Sequence, residues 1–220
     1  MTSTNRSFFK LNSKTALLLI ILILFIDQAS KIYIKLHYSL SVYGGPAIVD
    51  WRFFKLLFIE NKGMAWGTKI SDIVPFISEE VGKLILTLFR LVAISFLGRW
   101  LWKVLTMQNS QLLRWALCLI LAGAIGNIID SVFYGIIFDT PINGVATLFA
   151  EKPYGELFYG KVVDMLYFPI WSGDLPEWLP IWGGKPFTFF NAIFNVADTA
   201  ISTAVGLLIV FNKKAFPKYD

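Results

Sequence analysis

The chain has 220 residues, of which 56% are hydrophobic and 16% aromatic, with a mean hydropathy of +0.61 and a formal net charge of +5. That composition excludes a soluble domain of ordinary make-up and leaves room for about four membrane spans of roughly 20 residues. One cysteine, Cys118, excludes an internal disulfide and a cysteine-based metal site, and the basic residues are grouped beside apolar segments rather than as a nucleic-acid patch.

The first apolar segment covers 16–33 and follows Arg6, Lys10 and Lys14. A basic start before an apolar run fits a signal peptide, but no small-x-small cleavage site follows, so the segment reads as a retained helix. Next, 49–59 is rich in aromatic and branched residues and predicts one or two strands. Two further apolar segments lie at 84–102 and 112–133. The stretch from 166 to 190 carries Pro169, Pro176, Pro180 and Pro186 with Trp171, Trp178 and Trp182. Its prolines break regular structure and its tryptophans suit a headgroup-level surface. The fourth apolar segment is 189–211.

Lysine and arginine set the orientation. The N-terminal tail, the link between the second and third spans (Arg99, Lys103, Arg114) and the C-terminal tail (Lys213, Lys214, Lys218) are basic, with Asp220 their one acid. The positive-inside rule places both termini in the cytoplasm, with 35–81 and 138–188 outside. The expected architecture is one integral membrane domain over 1–220.

Polar residues inside apolar segments carry the chemistry. Asp164, in Val162-Val163-Asp164, and Asp198, at the head of an apolar run, are ionisable groups at membrane depth. Such groups pair, line a wet cavity or react. With His37 the one histidine, and no Gly-x-Ser-x-Gly near it, an aspartyl dyad heads the possible chemistries. Asp27 and Lys31 are four residues apart on one helix face, which predicts a self-neutralising pair or a support for the site. Asn61-Lys62-Gly63-Met64-Ala65-Trp66-Gly67 reads as a loop whose backbone donors can approach an extended peptide, or as an ordinary turn. In Gly123-Ala124-Ile125-Gly126-Asn127-Ile128-Ile129-Asp130 the glycines allow close helix packing. Asn127 and Asp130 share a face, and buried polar groups of this kind need partners. Asn195 and Asp198 repeat that spacing. Arg90, within the second span, needs a carboxylate or an outlet to the interface, and Asp130 is the expected partner.

Five blocks in order, Asp27-Gln28-x-x-Lys31, Asn61-x-Gly63-x-Ala65-Trp66-Gly67, Gly123-x-x-Gly126-Asn127-x-x-Asp130, Val162-Val163-Asp164 and Phe194-Asn195-x-Ala197-Asp198, resemble the lipoprotein signal peptidases (signal peptidase II). The resemblance implies an aspartyl endopeptidase of the bacterial cytoplasmic membrane. It would cut the signal peptide of a prolipoprotein just before a diacylglyceryl-modified cysteine. It places the catalytic pair at Asp164 and Asp198, and substrate-contact or supporting residues at Asp27, Lys31, Asn61, Gly63, Asn127, Asp130 and Asn195. The implied fold is an all-α membrane protein, a four-transmembrane-helix bundle with a small extracytoplasmic β-sheet cradle. No metal or organic cofactor is expected, and the expected partners are prolipoprotein signal peptides and membrane lipid, with a monomeric enzyme and no nucleic acid. Two departures stand out: Ser131 replaces the family's arginine after Asp130, and 33 residues separate Asp130 from Asp164 where compact relatives nearly abut them. The extra 138–161 segment, punctuated by Gly144 and Gly155, reads as a cover over substrate or lipid. A proton-coupled transporter, or a non-catalytic membrane assembly factor, is the rival class. Four spans without a repeat are few for the first, and the second needs no dyad.

Overall fold

The computed structural model describes residues 10–41, 46–62, 70–74, 76–107 and 110–217. Its helices are α1 (Ser13–His37), α2 (Ile70–Ile73), α3 (Glu79–Thr106), α4 (Gln111–Ile137), α5 (Val196–Val210) and α6 (Asn212–Ala215). Its strands are β1 (Val49–Trp51), β2 (Phe54–Asn61), β3 (Val162–Tyr167), β4 (Trp171–Asp174), β5 (Pro186–Phe189) and β6 (Ile193–Phe194). They make two compact units: 1–29, 85–129 and 196–220 form one, and 30–84 with 130–195 form the other.

Among the described residues, α1, α3 and α4 are long and apolar enough to cross a membrane. With 25 to 28 residues at 1.5 Å each they reach about 37–42 Å, more than the ~30 Å of hydrocarbon. Each extends the predicted span by several residues, because polar flanks such as Ser13 and Lys35 continue the helix past the apolar run. α1 begins where the Asn12 side chain accepts the Lys14 and Thr15 amides, both at 3.0 Å, satisfying donors that the first turn leaves orphaned. The first unit packs Leu11, Ala16, Leu101, Val104, Leu113, Leu117, Cys118 and Leu121 into one cluster. Leu18, Phe25, Phe89 and Phe96 stand exposed on α1 and α3. A run of large apolar side chains facing outward along helices of this length is the pattern of a lipid-facing surface.

The fourth predicted span is shorter than expected. α5 has 15 residues, and 189–195 is not helical. Phe189 ends β5, and Ile193 and Phe194 form β6. Short apolar runs do not by themselves separate strand from helix.

The second unit holds an antiparallel sheet in the order β1-β2-β3-β6. The strands expected over 49–59 are β1 and β2. In the ladder of β2 with β3, Ile59 faces Asp164, Glu60 faces Val163 and Asn61 faces Val162. The register shifts between Leu56 and Ile59, where one extra residue on β2 makes a bulge beside Met165. The proline-rich stretch is more regular than predicted: β4 and β5 pair, and Pro186 sits at the first position of β5, where no ladder amide is required of it.

Segment 138–161 is not a loose cover. The amides of Ala150, Tyr154, Gly155, Phe158 and Gly160 donate to the carbonyls of Ile137, Phe138, Gly135, Val132 and Ser131, at 2.9–3.2 Å. Two of these acceptors, Gly135 and Ile137, are among the last carbonyls of α4, which lack helical partners, so the segment closes that helix end. Gly160 passes so close to the Asp130 carbonyl that no β-carbon fits between them. Phe149 and Phe158 hold positive φ values of 55° and 74°, which a non-glycine residue keeps only when its surroundings impose it.

Candidate active site

The two sequence-predicted aspartates lie on different elements, and each is held by amide side chains. Asp164 is the third residue of β3 and is 5% exposed. Asn195 Nδ2 donates to its Oδ1 at 2.8 Å, and Asn61 Nδ2 donates to its Oδ2 at 3.2 Å. Asn195 also gives a hydrogen bond to the Val163 carbonyl at 3.2 Å. Asp164 therefore has a fixed orientation in a strand whose first four residues are buried on both faces.

Beside it, Asp130 is fully buried near the end of α4. Its Oδ2 accepts the Val163 amide at 3.2 Å and the Lys31 ammonium at 2.9 Å. Lys31 thus brings a buried ammonium to Asp130, a partner that its predicted pairing with Asp27 does not announce. An i, i+4 spacing tells which residues share a helix face; it does not tell which neighbour that face meets.

In the first unit, Asp198 stands in the first turn of α5, where the helix dipole favours a negative charge. Asn127 Nδ2 donates to its Oδ1 at 2.7 Å. Asp27, fully buried, accepts the Ala197 amide at 2.9 Å, so a carboxylate from α1 caps the start of α5. Gln28 Nε2 donates both to Asp27, at 3.0 Å, and to the Gly126 carbonyl, at 3.1 Å. A β-carbon at Gly126 would stand 2.7 Å from Asp27 Oδ2 and 3.1 Å from the Ala197 methyl, so α1, α4 and α5 meet there on a glycine. Close packing was the expected role of that glycine, and Gln28 is the partner sequence reasoning missed.

Residues 19–213 match the family described as Signal peptidase (SPase) II. The chain belongs to the signal peptidase II family. It is 42% identical over 199 residues to the lipoprotein signal peptidase of Porphyromonas gingivalis (strain W83), covering 90% of this chain and 82% of that one. Its identity to the lipoprotein signal peptidase of Amoebophilus asiaticus (strain 5a2) is 36%, over 86% and 73% of the two chains. Two solved structures of a bacterial membrane enzyme, determined in meso at 2.3 and 1.9 Å resolution, share the fold. Their TM-scores are 0.52 and 0.55 at 20% identity, covering 96% and 93% of this chain and 96% of each of theirs.

In this signal peptidase II, the five sequence blocks contribute the polar groups just placed: Asp27, Gln28, Lys31, Asn61, Asn127, Asp130, Asp164, Asn195 and Asp198. Gly63 and the rest of 63–69 lie outside the described residues. Ser131, the residue after Asp130, is 2% exposed, and its carbonyl receives the Gly160 amide at 2.9 Å, so segment 138–161 closes over it.

Among the described residues, a cleft of about 580 Å³ in the second unit is bordered by Lys62, Glu79, Glu80, Lys83, Tyr154 and Lys161. Lys62 directly follows Asn61 and Lys161 directly precedes β3, so the cleft adjoins the end of the ladder that carries Asp164.

Proposed function

We propose that this chain is an aspartic endopeptidase of the bacterial cytoplasmic membrane that removes the signal peptide from prolipoproteins before a diacylglyceryl-modified cysteine. Membership of the signal peptidase II family carries the reading, together with the amide-held carboxylates of Asp164 and Asp198.

The chemistry follows from two carboxylates sharing one substrate bond, where like charges leave one of them protonated. The ionised carboxylate takes a proton from water, whose oxygen adds to the scissile carbonyl carbon. The protonated one gives its hydrogen to the carbonyl oxygen. The resulting gem-diol collapses as the C–N bond breaks, and the proton passes to the departing amine of the lipidated cysteine. Neither carboxylate is assigned as base or acid, because the proton belongs to the pair. Asn61, Asn127 and Asn195 orient the carboxylates, and Asp27, Lys31 and Asp130 fix the elements that bear them. Asn61 and Gly63 also hold the extended substrate, whose own helical hydrogen bonds must open before attack. The fold that serves this is a bundle of four membrane spans, α5 being the fourth, with the β1-β2-β3-β6 sheet outside as a cradle. The enzyme acts as a monomer on a lipid-borne peptide and uses no metal or organic cofactor.

The deciding experiment is cleavage of a diacylglyceryl-modified precursor by the purified chain, compared with Asp164→Asn and Asp198→Asn. Each variant should insert normally and lose cleavage altogether. Processing near the parent rate by either one, at equal amounts of folded protein, overturns the assignment.

A further inference from the structure

Glu60 precedes Asn61 on β2 and faces Val163, the neighbour of Asp164, across the ladder. Its carboxylate meets two ammonium groups, Lys35 at 2.6 Å and Lys161 at 2.7 Å. The Lys35 and Glu60 side chains are almost wholly buried and that of Lys161 largely so. Lys35 lies one helical turn beyond Lys31 on α1, so one face of that helix delivers an ammonium to Asp130 and the next to Glu60. The trio holds one more positive charge than negative. That charge is spread over ring faces: Phe58, Tyr134, Phe138 and Tyr154 lie 4.9–5.9 Å from Lys35 Nζ, and Tyr154 lies 4.7 Å from Lys161 Nζ.

Segment 138–161 completes the arrangement. Ala146 donates its amide to the Lys35 carbonyl at 2.9 Å, and the Tyr154 hydroxyl accepts the Lys161 amide at 2.8 Å. Burial pushes the Tyr154 hydroxyl above its usual pKa range, so it stays a neutral partner. Apolar side chains of similar volume often stabilise a fold as well as buried ions do. What fixed charges add is direction, and here the directed object is the end of the ladder where Asn61 reaches Asp164.

We propose that the Lys35–Glu60–Lys161 network, completed by segment 138–161, is a positioning device that sets the Asn61–Asp164 contact for catalysis. It rests on the reading of Asp164 as a catalytic carboxylate. Lys35, Glu60 and Lys161 are positioning residues, because they act through β2 and β3.

The test uses the full chain in lipid, with Lys161→Met, Lys161→Arg and the double change Lys35→Met with Glu60→Gln. Asp164→Asn is measured alongside. A displaced catalytic group costs rate rather than affinity, so Lys161→Met should lower kcat about tenfold or more, with KM within about twofold of the parent. Lys161→Arg, which keeps the charge, should recover most of that loss. The double variant removes the fully buried Lys35 charge together with Glu60, leaves the partly exposed Lys161 ammonium to solvent, and should show the same kcat defect. The proposal falls if Lys161→Met and the double variant, once folded, turn over at the parent kcat, or if the loss lies in KM. It falls equally if activity tracks only the amount of folded protein, or if neither variant folds, since the network is then structural. Full cleavage by Asp164→Asn would instead remove the reading beneath it, and the two failures are told apart in one assay.

Discussion

Asn195 is fully buried and gives its amide hydrogens to two groups on β3, the Asp164 carboxylate and the Val163 carbonyl. Asn195→Ala therefore removes the 2.8 Å donor from a buried carboxylate and leaves a backbone oxygen short of a partner. Hydrogen bonds to charged groups contribute about 1.5–3 kcal/mol, which corresponds to roughly 10–100-fold in rate if the loss falls on the reacting state. Turnover of a lipidated precursor by Asn195→Ala should fall by that factor; a change smaller than about twofold would mean that Asp164 does not depend on Asn195 for its orientation. Asn127→Ala, which takes the 2.7 Å donor from Asp198, should do the same. Residue types at this scale were legible in the sequence, because a carboxylate or amide in an apolar segment demands a reason. Their partners were legible only in part. Spacing put Asp27 and Lys31 on one face, while the neighbours that decide their roles, Ala197 and Asp130, are more than ninety residues away. Glu60 and Lys161 escaped notice because a charged residue in an outer loop has an easy explanation in solvent. Lys35 was visible in principle, one turn past Lys31 on the same face.

Segment 138–161 shows two uses of glycine at the level of the element. Gly144 and Gly155 read as the punctuation of a cover and neither is crowded, whereas Gly160, and Gly135 of α4, are places where two backbones touch. A β-carbon at Gly160 would run into the Asp130 carbonyl, and backbone cannot yield as a flexible side chain can. Gly160→Ala should therefore destabilise the protein by about 1–3 kcal/mol or more, seen as a lower Tm, at roughly 2–4 °C per kcal/mol for a chain of this size. Gly144→Ala is the control: open space surrounds its β-carbon position, and its Tm should match the parent. Equal melting of both variants would restore the picture of a loose cover. Replacing all of 138–161 with a short turn should abolish folding rather than tune affinity, since it strips the end of α4 of its amide partners. The helices were legible because an apolar run of twenty residues has few other uses. β6 and the start of α5 were not, because 189–195 is apolar whether it folds as strand or helix.

At the scale of the whole molecule, the charge pattern of the loops predicts how the chain threads the membrane. Lys10 and Lys14 precede or open α1, Lys103 closes α3, Arg114 opens α4, and Lys213 and Lys214 lie in α6, so bases gather at one set of helix ends. Acids and bases mix in the segments before α3 and between α4 and α5. α5 alone strains this scheme, since 15 residues rise only about 22 Å against ~30 Å of hydrocarbon. A short span is accommodated by local thinning and by lysines that reach the interface along their aliphatic stems, and Lys213 and Lys214 are placed for it. Labelling can read this directly, because the native Cys118 is buried and gives little background. Lys103, Lys185 and Lys213 are each exposed. In intact spheroplasts a membrane-impermeant maleimide should modify Lys185→Cys at once, and Lys103→Cys and Lys213→Cys only after permeabilisation. Labelling of Lys213→Cys from outside, with Lys103→Cys still protected, would mean that α5 returns without crossing; the chain would then have three spans, and the C-terminal lysines would lie on the side of the sheet.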